Sequence, residues 1–123
     1  FNLPLNSLIT DYSVGMKKRL AIFGLIKQNK SVLMLDEPFN GLDIESLAMI
    51  KELLAILADQ GKTILLASHL LPLMGNLCHI VHYINSPSDI KTMTGEAFIG
   101  FAESLMAKLG EKQKDEISKV LNL

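Results

Sequence analysis

The run Leu33-Met34-Leu35-Asp36-Glu37-Pro38 ends an apolar segment in two adjacent carboxylates. In α/β folds ligands bind beyond the carboxyl ends of strands, so a strand at this point delivers both acids to that edge. Neighbouring residues on a strand point to opposite faces, which lets the two take different tasks. One can hold Mg²⁺, largely through its water shell, while the other orients and activates a water for in-line attack on a phosphoryl group. Asp36 suits the metal and Glu37 the general base. Taken alone, Asp-Glu-Pro after a strand reads equally well as a solvated turn. It has company, however: Tyr12-Ser13-Val14-Gly15-Met16 lies about twenty residues upstream, Asn40-Gly41-Leu42-Asp43 follows at once, and Ser68-His69 comes about thirty residues later.

The elements that must position these residues follow from periodicity. Met16, Leu20, Phe23 and Ile26 recur at helical spacing, with Ser13 as N-cap and Lys27 to Lys30 as a basic stop, which predicts a helix over 14–27. Residues 31–35 form a short apolar run, the pattern of a strand buried on both faces. Leu47, Ile50, Leu54 and Leu57 make one stripe between Asp43 as N-cap and Gly61 as the residue past the helix end, predicting a helix over 44–60. A second buried strand is expected at 63–67. A helix over 70–77 then tolerates Pro72 in its first turn, and a third, shorter strand occupies 80–84. Strands alternating with helices across short connections imply parallel βαβ units in an α/β fold. After Ser86-Pro87-Ser88 the sequence turns charged and amphipathic, with two helices expected at 96–109 and 111–121, divided by Gly110.

Bulk properties narrow the classes. The chain has 123 residues, room for one small domain, and a net charge of −1 with its basic residues dispersed. It carries no basic footprint for a nucleic-acid backbone. A mean hydropathy of +0.30 lies on the apolar side and suggests that part of the surface is meant to be covered. No apolar run approaches the roughly 20 residues that span a bilayer. The single Cys78 fits a reducing compartment. Phe1 to Leu8 is not a signal peptide, and the chain reads as starting within a domain. Cys78, His79 and His82 do not read as a metal site, because no second ligand cluster accompanies them and His82 falls within a strand.

In order and spacing, these motifs resemble the signature loop, Walker B strand, D-loop and switch of ABC ATPases. The resemblance covers residues 8–84, and LDEPFNGLD is its most specific part. It implies a partial P-loop NTPase fold, a parallel sheet with flanking helices, and the cofactors ATP and Mg²⁺. Position by position, Asp36 corresponds to the metal-holding acid and Glu37 to the catalytic base. Ser13 and Gly15 fall on the signature loop that faces the γ-phosphate held by an opposing subunit. A helix N-terminus with a hydroxyl and free N–H groups is a fitting anion site, although Ser13 would also serve as a plain cap. Asp43 corresponds to the D-loop aspartate at the dimer interface, and His69 to the switch histidine that contacts the γ-phosphate and the attacking water. A lone histidine after a strand is commonly structural, but its place after TILLAS favours the switch role. Val14 and Met16 depart from the usual signature glycine and glutamine, and Phe39 stands where threonine or serine is common. The YSVGM form is similar to export-type members. Val14 brings a Cβ to a place of close backbone approach.

No G-x-x-x-x-G-K-[ST] run is present: Gly61-Lys62-Thr63 lacks the first glycine and sits between helix and strand, the reverse of the required order, and Gly95 with Gly100 is followed by Phe101. The expected organisation is therefore the end of a helical subdomain at 1–30, an α/β core at 31–85 and a helical extension at 86–123, without the N-terminal strands and P-loop. The implied partners are a second nucleotide-binding domain and a transmembrane permease, placing the chain on the cytoplasmic face of the cell membrane. A non-transport ABC ATPase and a non-catalytic interaction module are the alternatives. By itself the chain is expected to bind ATP weakly or not at all and to self-associate.

Overall fold

A computed structural model describes residues 3, 4 and 6–121; Phe1, Asn2 and Leu5 of the opening segment, and Asn122 and Leu123 at the other end, lie outside the described residues. The chain forms two compact units, one running to His69 and the other from Leu70.

In the first unit, helix α1 spans Val14–Lys27, and Ser13 Oγ caps it by accepting the Met16 N–H at 3.2 Å. The buried stripe is not the one that the Met16, Leu20 and Phe23 spacing predicts. Gly15 and Ile22 are buried instead, a stripe rotated by most of a quarter turn, while Phe23 is exposed and carries Lys27 over its ring. The reason lies in the neighbour: α1 packs against helix α2, Ile44–Asp59, at the point where Gly15 has no side chain. In α2 the predicted face holds, with Ile50, Leu54 and Leu57 buried. Asp43 Oδ1 caps its start on the Ser46 N–H at 3.2 Å. At its end Gly61, with φ +83°, lets the Lys62 N–H reach Leu57 O and its own N–H reach Ala58 O, the paired bonds of a glycine stop.

Strand β1, Val32–Asp36, pairs in parallel with β2, Thr63–Ala67, placing Asp36 opposite Ala67. The expected burial of both faces is not met. Leu33 and Leu35 are covered, but Val32, Met34 and Leu65 are exposed, Met34 by 73%. A single crossover helix can cover only one side of a two-stranded sheet, so an apolar face is left bare.

The second unit differs more from expectation. Helix α3 is Leu71–Leu77, with Pro72 in its first turn as predicted. Strand β3, Ile80–Ser86, does not join a parallel sheet. It forms an antiparallel hairpin with β4, Asp89–Thr94, across the two-residue turn Pro87-Ser88. The two helices expected beyond are one helix, α4, Gly95–Leu121, that passes straight through Gly110. A glycine inside a helix costs about 1 kcal/mol relative to alanine, and the strong formers around it, Leu109, Glu111, Lys112 and Gln113, absorb that. Gly95 itself is required, since a Cβ there would collide with the Cys78 carbonyl. Phe98, Ala102 and Met74 form this unit's core, and Tyr83 meets Phe101 edge-on at 5.0 Å. Among the described residues, no helix is long and apolar enough to cross a membrane.

Candidate functional site

The end of β1 is where backbone conformation turns two neighbouring acids into different groups. Asp36 closes the strand on its bare face, exposed, and makes no side-chain hydrogen bond or ion pair among the described residues. Glu37 is not, as the spacing suggests, the next residue of a regular strand. Its φ of 45° places it in the left-handed region, which costs a residue with a side chain roughly 1–2 kcal/mol. Bonds to its backbone hold it there: its N–H donates to Ala67 O at 2.9 Å, and its carbonyl accepts Lys18 Nζ at 2.8 Å and the Asn40 N–H at 3.4 Å.

The Glu37 carboxylate reaches the end of β2. Oε2 accepts the Ser68 hydroxyl at 3.0 Å, and Oε1 accepts the His69 N–H at 3.0 Å and lies 2.7 Å from His69 Nδ1. An ionised carboxylate only accepts, so Nδ1 carries the proton and Nε2 is the free ring nitrogen. The His69 side-chain bond, helped by the Ser68 hydroxyl and the His69 N–H and opposed by desolvation, lowers the Glu37 carboxyl below its usual value of 4.5. The carboxylate has about four lone-pair positions, and three are taken, which leaves one for a water.

Asp43 and Gly15 form a second cluster within the same unit. A Cβ on Gly15 would come within 3.3 Å of Ser46 Oγ and 3.7 Å of Asp43 Oδ1. Gly41, with φ +69°, leaves room for Val14, whose Cγ1 would lie 3.2 Å from a Cβ at that position. The Ser46 hydroxyl, close by although short of hydrogen-bond geometry, and the Ser46 N–H together lower the Asp43 carboxyl; Arg19 adds a smaller attraction. Ser13 is exposed beside this cluster. Phe39 is a core residue.

The spacing therefore points to two residues the structure joins, Glu37 and His69, and to a second pair, Gly15 and Asp43, that share the α1–α2 junction. Lys18 was not legible as a support for Glu37, because a bond from a helix lysine to a strand-end carbonyl nineteen residues away leaves no local pattern. His82 pairs with Thr92 Oγ1 at 2.8 Å, and burial pushes the Cys78 thiol up. No group of three or more metal-ligating side chains exists among the described residues.

Comparison with known sequences fits this geometry. The chain is 41% identical over 73 residues to the Nod factor export ATP-binding protein I of Rhizobium leguminosarum bv. viciae, covering 59% of this chain and 24% of that protein. It is 34% identical over 93 residues to the energy-coupling factor transporter ATP-binding protein EcfA of Methanococcus maripaludis, covering 76% of this chain and 34% of that one. The bacitracin transport ATP-binding protein BcrA of Enterococcus faecalis is 37% identical over 75 residues, or 60% and 24% of the two chains. The chain is thus similar to ATP-binding proteins of ABC transporters, and it spans about a quarter to a third of the length of these relatives. No protein-family description matches it.

Proposed function

We propose that this chain is the part of an ABC transporter ATP-binding subunit that runs from the signature loop onward, and that the subunit hydrolyses ATP to energise transport through a transmembrane permease. The observation that carries the reading is the Glu37 carboxylate, turned out of β1 and held by Ser68 and His69. These 123 residues contain no G-x-x-x-x-G-K-[ST] run, so in this reading the phosphate cradle lies elsewhere in the subunit.

Within that reading, Glu37 accepts a hydrogen bond from the attacking water at its remaining lone pair and receives the water's proton as the phosphoryl bond forms. Ser68 and His69 fix the carboxylate's direction. With Nδ1–H committed to Glu37, His69 presents Nε2, and it donates to a phosphate oxygen only when the ring carries both protons. Asp36, exposed at the strand end and without a side-chain hydrogen bond or ion pair among the described residues, would hold a Mg²⁺, which when bound would neutralise phosphate charge. Ser13 and the first N–H groups of α1 serve the γ-phosphate of a second subunit, with Asp43 lining that contact. The YSVGM loop supports the export type. A permease partner places the subunit on the cytoplasmic face of the membrane.

The test is turnover in the whole protein. Glu37→Gln is expected to lower kcat by roughly 10²- to 10⁴-fold while ATP binding persists and the nucleotide-bound dimer accumulates. Unchanged hydrolysis removes Glu37 from the base role. The 123-residue chain by itself is expected to show no tight binding of Mg²⁺-ATP by calorimetry.

A further inference from the structure

Helix α4 is covered by its own unit only along its first half. Phe98 and Ala102 are buried, whereas beyond Leu105 no described residue is. That bare half nonetheless carries large apolar side chains: Met106, Leu109, Ile117 and Val120 are exposed by 46–80%. Their spacing is symmetrical about Gln113, with Leu109 and Ile117 four residues to either side and Met106 and Val120 seven. At about 100° per residue all five positions fall on one narrow stripe, the width of a helix–helix seam rather than of a globular core face.

We propose that this stripe pairs with the same stripe of a second copy of the chain, antiparallel, about a two-fold axis at Gln113. In that arrangement Met106 meets Val120 of the other copy, Leu109 meets Ile117, and the two Gln113 side chains face each other. A parallel two-fold pair matches each residue with itself and needs no such symmetry, whereas an antiparallel pair about Gln113 requires like residues four and seven positions to either side, which this sequence supplies. Lys112 and Glu116 line one edge of the stripe, and the two-fold brings each Lys112 within about 3 Å along the axis of both Lys112 and Glu116 of the other copy, so that the two Glu116 offset the approach of the two lysines. Within one helix, lysine four residues before glutamate is the less favourable order, and no ion pair joins them. On the other edge Gly110 offers bare backbone for close approach, with Lys114 further round toward solvent, and Glu111 and Asp115 lie on the far side of the helix. From Met106 to Val120 the seam is about 21 Å long, and at about one helix diameter in width it covers far less than the ~800 Å² per partner of a stable interface, so the pairing is weak and reversible. It does not depend on the catalytic reading.

Thiol cross-linking of the full chain tests it. In a Cys78→Ser background, Met106→Cys and Val120→Cys chains are prepared separately and mixed under mild oxidation. A covalent dimer that forms in the mixture and not in either chain alone is the expected result. Cross-linking of either variant by itself at equal yield, as a parallel pair or association through the bare sheet face would give, overturns the proposal, as does no cross-linking in the mixture. Sedimentation supplies the second arm. Lys112→Glu and Glu116→Lys each weaken self-association, by about two- to fivefold for an exposed pair, and the double exchange restores it. A double exchange no tighter than the single ones overturns the charge register.

Discussion

The unit ending at His69 and the unit beginning at Leu70 were built by different kinds of interaction. In the first, a strand, a crossover helix and a second strand follow each other in the chain, and three of the four α-helix ends are marked by a capping or stop residue: Ser13, Asp43 and Gly61. In the second, the defining feature is a hairpin whose second strand has meaning only once it is paired, and a helix whose length a glycine seemed to interrupt. The first unit concentrates the candidate chemistry at strand ends. The second presents a helix face with no site on it. The candidate chemistry thus sits where backbone geometry is fixed from two sides, and the long helix carries the exposed stripe proposed for pairing.

The sharpest way to break this comparison is to empty each core. Phe98→Ala is expected to destabilise the second unit by about 3–5 kcal/mol and Ile50→Ala the first by about 2–5 kcal/mol, read from urea unfolding, because both side chains are fully buried. A smaller cost at either position would show that its core is loosely packed. Next in size, Leu35→Lys and Met34→Lys probe the two faces of one strand. The former, placing an unpaired charge on the covered face, is expected to prevent folding. The latter, on the bare face, changes stability by less than about 0.5 kcal/mol and reduces aggregation in light scattering.

Ser13→Ala removes the α1 cap at a cost of about 1 kcal/mol, whereas Ser13→Asp keeps the cap and repels an approaching phosphate. If the two variants impair hydrolysis by the whole protein equally, Ser13 acts through helix stability alone. The finest effect is a titration. Because the folded Glu37 carboxyl is lowered below 4.5, its contacts with Ser68 and His69 add stability at neutral pH, and that contribution fades as pH falls through the lowered folded value. Carboxyl ¹³C shifts should give a midpoint below 4.5, moving back toward it in Ser68→Ala with His69→Ala; a midpoint at or above 4.5 in the unmodified chain contradicts the clasp.

Local signals determined much of the first unit: the caps and stop, the α2 stripe and both strand positions follow from residues close in sequence, since caps and helical spacing act within a turn or two. The same signals were misleading where a neighbour decides. Helical spacing alone could not choose between the Met16 stripe and the Gly15–Ile22 stripe of α1, because both are apolar enough and only the approach of α2 selects one. Residues 89–94 carry no clean alternation of apolar and polar side chains, and a strand of that length is marginal without the partner that β3 supplies. Glu37 shows the division most plainly. Its sequence neighbours mark it as an acid at the end of a strand, while its left-handed backbone, its bond to Lys18 and its grip by Ser68 and His69 exist only in the folded chain. Residues thirty positions apart can align a carboxylate only after the parallel pairing of β1 and β2 has fixed where both strands end.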